Sequence, residues 1–224
     1  MTPLVSLLHL CDSLFPIGGF AHSDGLEAAT TRGDVRTAED LQRWMEAILH
    51  ENLAESEGPA VSAAWRLFGQ RDWARLQALD AELFAIRPAA AARQSTRAMG
   101  TRLLKTWQQI HPTSAACELC GDNGFAQLTL PVAFGVVSQS AAIDEQSSLE
   151  GFCYVRLAAT ASCAMRLMAI GQHEAHTTLA HVLGDVHAVA ADVIAHPRQP
   201  GAFMPVLDLA AMRHQYVHSR LFRS

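Results

Sequence analysis

Aromatic and β-branched residues are sparse in this chain. Aromatics make up 7% of the 224 residues, while alanine and leucine are abundant. That balance disfavours a sheet and favours helices. Clustered basic residues are lacking as well. Lys and Arg together number 17 against 22 Asp and Glu, which gives a formal net charge of −5 and a pI near 6.1. A weakly acidic chain cannot neutralise many phosphates, so nucleic acid is not an expected partner. The five cysteines are an odd number at irregular spacings and form no disulfide framework. With no basic leader or cleavage signal after Met1, the expectation is a reduced, cytoplasmic protein. Repeats and low-complexity tracts are also missing. One stretch, Gly151 to Gly171, is apolar enough to raise the question of a membrane span. It contains Arg156 and Arg166, each costing about 2.5–3.5 kcal/mol near a bilayer centre. A helix buried in a protein core is therefore expected, and no membrane partner.

Half of the residues are hydrophobic, ample for one large core. Leu4, Leu7, Leu8, Cys11 and Leu14 recur at helical spacing and predict an opening helix, which Pro16, Gly18 and Gly19 break. Ser23 is placed to cap a short helix carrying Glu27 near its positive end. Thr37 with Asp40 approximates a capping box, and Leu41, Trp44, Met45, Ile48 and Leu49 mark the apolar face behind it. Pro59 suits the start of the next helix. Asp72 caps another, and Pro88 opens one with Met99, Leu103, Trp107 and Ile110 inward. A loop is expected over His111 to Asn123, then helices over Phe125 to Ala142, Ser148 to Gln172 and Glu174 to His196, with Pro197 and Pro200 closing the last. The pattern predicts an all-α fold: one helical bundle of about eight to ten helices over residues 1–200, followed by a partner-binding tail over residues 201–224.

The stretch FPIGGFAHSDGLE, Phe15 to Glu27, invites comparison with a phosphate-binding loop. Such a loop needs a Lys-Ser/Thr pair at a helix start or a preceding strand, and neither is present. A structural turn built on Pro16, Gly18, Gly19 and Gly25 is the better reading, though it leaves Ser23, Asp24 and Glu27 crowded beside it without a purpose. His173 and His176 lie three apart and could face one ion, but no third ligand is identifiable, and HEAH is not the zinc-protease HExxH. His181, His187 and His196 lie further along the same predicted helix. Cys117 and Cys120 form a lone CxxC with no second pair at a suitable spacing. No nucleophile elbow or Cys/His signature is present, so no catalytic residue, metal site or cofactor is assigned. The last twelve residues, RHQYVHSRLFRS, hold Arg213, Arg220 and Arg223 with no acid. Arginine mixed with aromatic residues is what protein interfaces enrich.

Five segments in order carry a resemblance spanning nearly the whole chain. They are DSLFPIGGFAHSDGLE (Asp12 to Glu27), RQSTRAMGTRLL (Arg93 to Leu104), LPVAFG (Leu130 to Gly135), Gly171-Gln172 and SRLFRS (Ser219 to Ser224). Together they resemble the urease accessory protein UreF family. The chain departs from the family pattern in the Pro-Ala-Ala-Ala-Ala run before Arg93, and at Gln215 and His218, where the family often has Glu and Tyr. The resemblance implies a non-catalytic, all-helical protein without a cofactor. It would bind UreD (UreH in some organisms), recruit the GTPase UreG to apo-urease for nickel insertion and lysine carbamylation, and be able to dimerise. It further suggests that Ser23, Asp24 and Glu27 form a surface for the GTPase. Arg213, His214, Ser219, Arg220, Leu221, Phe222 and Arg223 would order against UreD. The alternative from a different class is a helical metal-binding enzyme or nickel-storage protein using His173 and His176.

Overall fold

The computed structural model describes residues 1–119, 127–201 and 203–223. Among these it contains eleven α-helices and no strand: α1 (Pro3–Leu10), α2 (Leu26–Arg32), α3 (Ala38–Ala47), α4 (Gly58–Gly69), α5 (Trp73–Ile86), α6 (Ala90–Ile110), α7 (Leu130–Ser140), α8 (Glu145–Leu167), α9 (Gln172–Leu183), α10 (Val186–Ala195) and α11 (Pro205–Arg213). The all-α single body expected from composition is what forms.

Local signals set many of the helix starts. Thr37 Oγ1 accepts the Asp40 N–H while Asp40 accepts from the Thr37 N–H, so the capping box is complete. Asp72 caps α5 through the Arg75 N–H at 3.1 Å, and Asp144 caps α8 through the Ser147 N–H at 2.8 Å. Each bond satisfies an N–H that the helix leaves open. Between α3 and α4 the chain stays helical but widens to π geometry over Ile48–Glu57. Pro59, in the first turn of α4, has no N–H to return to the carbonyl four residues back, which favours a shifted ladder there.

The core centres on α7, from which Leu130 to Ser138 are all buried between α4, α6 and α8. Phe134 meets Phe152 of α8 edge-on, with ring centroids 5.1 Å apart. The apolar face read from α3 is buried, as are Leu76, Leu79 and Leu83 of α5 and Met99, Leu103 and Trp107 of α6. Ile110, expected inward, is 46% exposed.

Four further expectations change. Leu4, Leu8 and Leu14 are exposed, because α1 ends at Leu10 and lies over α8 with only Ser6 and Leu10 buried. The helix expected over Glu174 to His196 divides into α9 and α10, since the chain turns at Gly184 and Asp185. By length and composition alone Gln172–Ala195 could cross a membrane, yet this turn breaks it. The segment after Pro200 folds into α11, starting at Pro205. Helix α7 begins at Leu130, later than Phe125, and part of that expected start lies outside the described residues.

Helix α7 crosses α4 at close range. A Cβ at Gly135 would lie 2.5 Å from the Val61 carbonyl oxygen and 3.0 Å from the Trp65 nitrogen. Backbone atoms cannot rotate aside, so Gly135→Ala forces the two helices apart. Thermal or chemical unfolding of that variant should show a loss of about 1–3 kcal/mol, the usual range for an overpacked core. Unchanged stability would contradict this account of the crossing.

Candidate partner-binding site

The glycine-rich turn and the C-terminal segment, 190 residues apart in sequence, form one junction. Gly18 (φ 79°) and Gly25 (φ 89°) occupy the left-handed region that favours glycine. Gly19 does not; it opens a short 3₁₀ turn, Gly19–Ala21. Gly25 has a second reason to lack a side chain. A Cβ there would sit 2.8 Å from the Ala211 nitrogen, so its absence lets α11 lie against the turn.

One turn further on, Glu27 points inward from α2 and is 3% exposed. Its carboxylate meets three donors from the C-terminal segment. His214 Nε2 lies 2.7 Å from Oε2, the Leu221 N–H donates to Oε1 at 2.5 Å, and the Phe222 N–H donates to Oε2 at 3.2 Å. A carboxylate is acceptor-only, so the proton sits on His214 Nε2. Ser23, also buried, accepts the Glu27 N–H at 3.4 Å. Phe222 is buried under the Arg166 guanidinium, 4.4 Å from its ring centroid, and Arg166 donates to the Phe20 carbonyl. The Arg223 N–H donates to the Ala21 carbonyl at 2.8 Å and ties the tail to the 3₁₀ turn.

Beneath the junction lies a chain of ion pairs with no net charge. Arg156 of α8 bonds Asp24 Oδ2 at 2.7 Å and Glu57 Oε2 at 3.0 Å, and Glu57 also pairs with Arg87. Glu57 is 3% exposed and Arg156 is 10% exposed as side chains. Burial alone would raise the Asp24 carboxyl; Arg156, followed by Arg87, outweighs it and holds the group below its ordinary value. Desolvation likewise opposes the charge on Arg156, and the two carboxylates more than restore it. Asp24 takes a positive φ of 50°, a conformation that Asp tolerates better than most residues.

The expected partner residues therefore divide. Ser23 and Glu27 are not on the surface, because the tail they hold covers them; Asp24 keeps a partly exposed edge. Within the tail, His214 and Phe222 face inward, while Arg213, Ser219, Arg220, Leu221 and Arg223 are exposed. Sequence reading missed α11 altogether. Its inner residues Leu207 and Ala210 are buried, while Val206, Leu209 and Met212 are 55%, 48% and 43% exposed. Their spacing of three was the available signal. Tyr216, 80% exposed, extends this apolar surface. Between α2 and α11 a notch of about 190 Å³ opens beside Arg32, Leu209 and Arg213.

His173 and His176 are exposed in the first turns of α9. Among the described residues no group of three or more His, Cys, Asp or Glu could hold a metal ion. Cys117 is described, but Cys120 lies outside the described residues.

Fold and site define an all-helical protein whose two ends are built into a single surface. A UreF family profile matches residues 35–183. The chain is similar to the urease accessory protein UreF of Granulibacter bethesdensis, 31% identical over 222 residues, covering 99% of this chain and 94% of that one. It is also similar to the UreF of Actinobacillus pleuropneumoniae (28% over 231 residues, the whole of both) and of Haemophilus influenzae strain PittEE (28% over 227 residues, 100% and 97%). The chain belongs to the UreF family of urease accessory proteins. Both halves of the junction lie outside the profile match but inside the full-length alignments.

Two outcomes follow from the geometry. Glu27→Ala removes the acceptor from three donors, each costing about 1–3 kcal/mol if left buried and unpaired. It should lower the melting temperature and open residues 214–223 to protease, whereas a variant as stable and resistant as wild type would refute the anchoring role. The depressed Asp24 carboxyl contributes stability that is present above its unfolded value near 3.9 and is lost as pH falls through its lower folded value. Asp24→Asn should therefore flatten the acid limb of the melting temperature–pH curve below about pH 4. An acid limb as steep as wild type would show that Asp24 is not responsible.

Proposed function

We propose that this protein is a non-catalytic urease maturation factor that binds UreD (UreH) and recruits the GTPase UreG to apo-urease for nickel insertion. One observation supports it most: the C-terminal segment is anchored to Glu27 from within and still leaves a row of apolar side chains facing outward. Val206, Leu209, Met212, Tyr216 and Leu221 face solvent on a segment fixed from below by Glu27. Exposed apolar residues gathered on an ordered element mark an interaction surface. Arg213 and Arg220 at its edge can form charge-assisted bonds to partner carboxylates. In this proposal that face receives UreD, and the pinned segment brings no large ordering cost to binding. UreG recruitment belongs to the exposed rim of the turn at the Asp24 edge, with Glu27 acting from behind. The setting is the cytoplasm.

Self-association is part of the same proposal. An apolar groove of about 960 Å³ runs between α1, the turn and α8, with Leu8, Leu14, Phe20 and Tyr154 exposed along it. A second copy of the chain is its proposed occupant. Light scattering should show a dimer that Leu8→Asp with Leu14→Asp converts to monomer; a dimer that survives both changes uses another face.

Removing the whole tail is a poor test, because it also strips the partners from Glu27. Leu209→Asp with Met212→Asp leaves the anchor intact. Size-exclusion chromatography with light scattering should show co-elution with the cognate UreD for wild type and its loss for this double variant, at a similar melting temperature. Equal co-elution of both forms would move the interface elsewhere.

A further inference from the structure

A second surface, on α6, adjoins the glycine-rich turn at Arg102 but lies away from the exposed face of α11. We propose that the solvent face of α6 docks an acidic segment of a protein partner, one presenting at least two carboxylates about a helical turn apart. The inference rests on the maturation reading only for the choice of candidate partners.

At ~100° per residue, Gln94, Ala98, Arg102, Lys105 and Gln109 fall within roughly 80° of one another on α6. They line an open groove of about 690 Å³ in which no Asp or Glu takes part. Ala98 lies in the middle of this arc, so the floor is low enough for another chain to approach closely. Glutamines at both ends supply donors and acceptors along ~22 Å of helix.

Cations on this face differ in how far they are neutralised. Arg97 at one edge is spoken for: it pairs with the buried Asp80 at 2.9 Å and stacks over Phe84 at 3.9 Å. Asp80 in turn accepts the Thr129 N–H and hydroxyl, both at 2.7 Å, so that pair is locked into the fold. Arg102 donates only to the Ile17 carbonyl, at 3.0 Å, and Lys105 is in no hydrogen bond or ion pair among the described residues. Both are exposed. On a chain of net charge −5, two uncompensated cations one turn apart beside a polar, acid-free groove complement paired carboxylates. Phosphate-backbone binding would call for a longer run of cations than this. Charges at this depth steer encounter and register more than they hold, so binding here is salt-sensitive.

Lys105 is the only lysine in the chain, and this makes the test specific. A carbodiimide joins a carboxylate to an amine as an amide, so it can link a partner's Asp or Glu to this protein only at Lys105 or the terminal amine. The full-length chain is mixed with its cognate UreD, UreG and apo-urease, co-elution is recorded, and cross-linked peptides are mapped by mass spectrometry. A link from Lys105 to a partner acid, suppressed by high salt, is expected. Lys105→Arg should keep co-elution and lose the link, whereas Arg102→Glu with Lys105→Glu should weaken assembly about tenfold with an unchanged melting temperature. Assembly without a Lys105 link, or normal assembly of the double charge reversal, overturns the α6 site while leaving the maturation reading in place. Failure of the wild-type chain to co-elute with any of the three proteins overturns both.

Discussion

Glu27 places a carboxylate inside an all-helical protein, and the donors that meet its side chain come from the C-terminal segment. Burying a carboxylate costs several kcal/mol unless its oxygens are satisfied. Folding of α2 therefore favours docking of the tail, and docking of the tail satisfies α2. Gly25 makes room for α11, Ser23 holds the Glu27 amide, and Phe222 seals the site under Arg166. Each contact is modest; together they fix a segment that would otherwise fray.

The ion-pair chain below serves the same end. Arg156 joins α8 to the turn through Asp24 and to the end of the π-helical stretch through Glu57, which Arg87 meets from the end of α5. Leaving out one member would strand a buried charge, so the four groups hold those elements in one relative placement. The widened helix ahead of Pro59 brings Glu57 into that chain. The glycine-rich turn near the N-terminus is thus a cradle for the C-terminal segment, and this explains why glycines and acids crowd together there.

Much of the fold was legible because helix starts carry local chemistry. Thr37–Asp40, Asp72 and the spacing of Leu41, Trp44 and Met45 need no distant partner to be read. The failures were non-local. Glu27 looked like a surface acid because its three donors lie 187 to 195 positions away, and nothing in a helical pattern marks a carboxylate as buried. Leu4, Leu8 and Leu14 read as the stripe of an opening helix, but periodicity identifies an apolar face and not what covers it, and they are exposed. α11 went unread because its apolar residues point both ways: Leu207 in, Leu209 out. The resemblance paired the two chain ends as features of one family; only their contact shows that they are one structure.

The tail is folded by its own chain, before any partner arrives. Hydrogen exchange on the isolated full-length protein tests it most directly, read by mass spectrometry across the peptide holding Leu221 and Phe222. Slow exchange of these amides, lost on Glu27→Ala while the α7 core stays protected, is the predicted result. Exchange at the rate of an unstructured peptide in the wild-type protein would contradict it and leave the ordering of the tail to its partner.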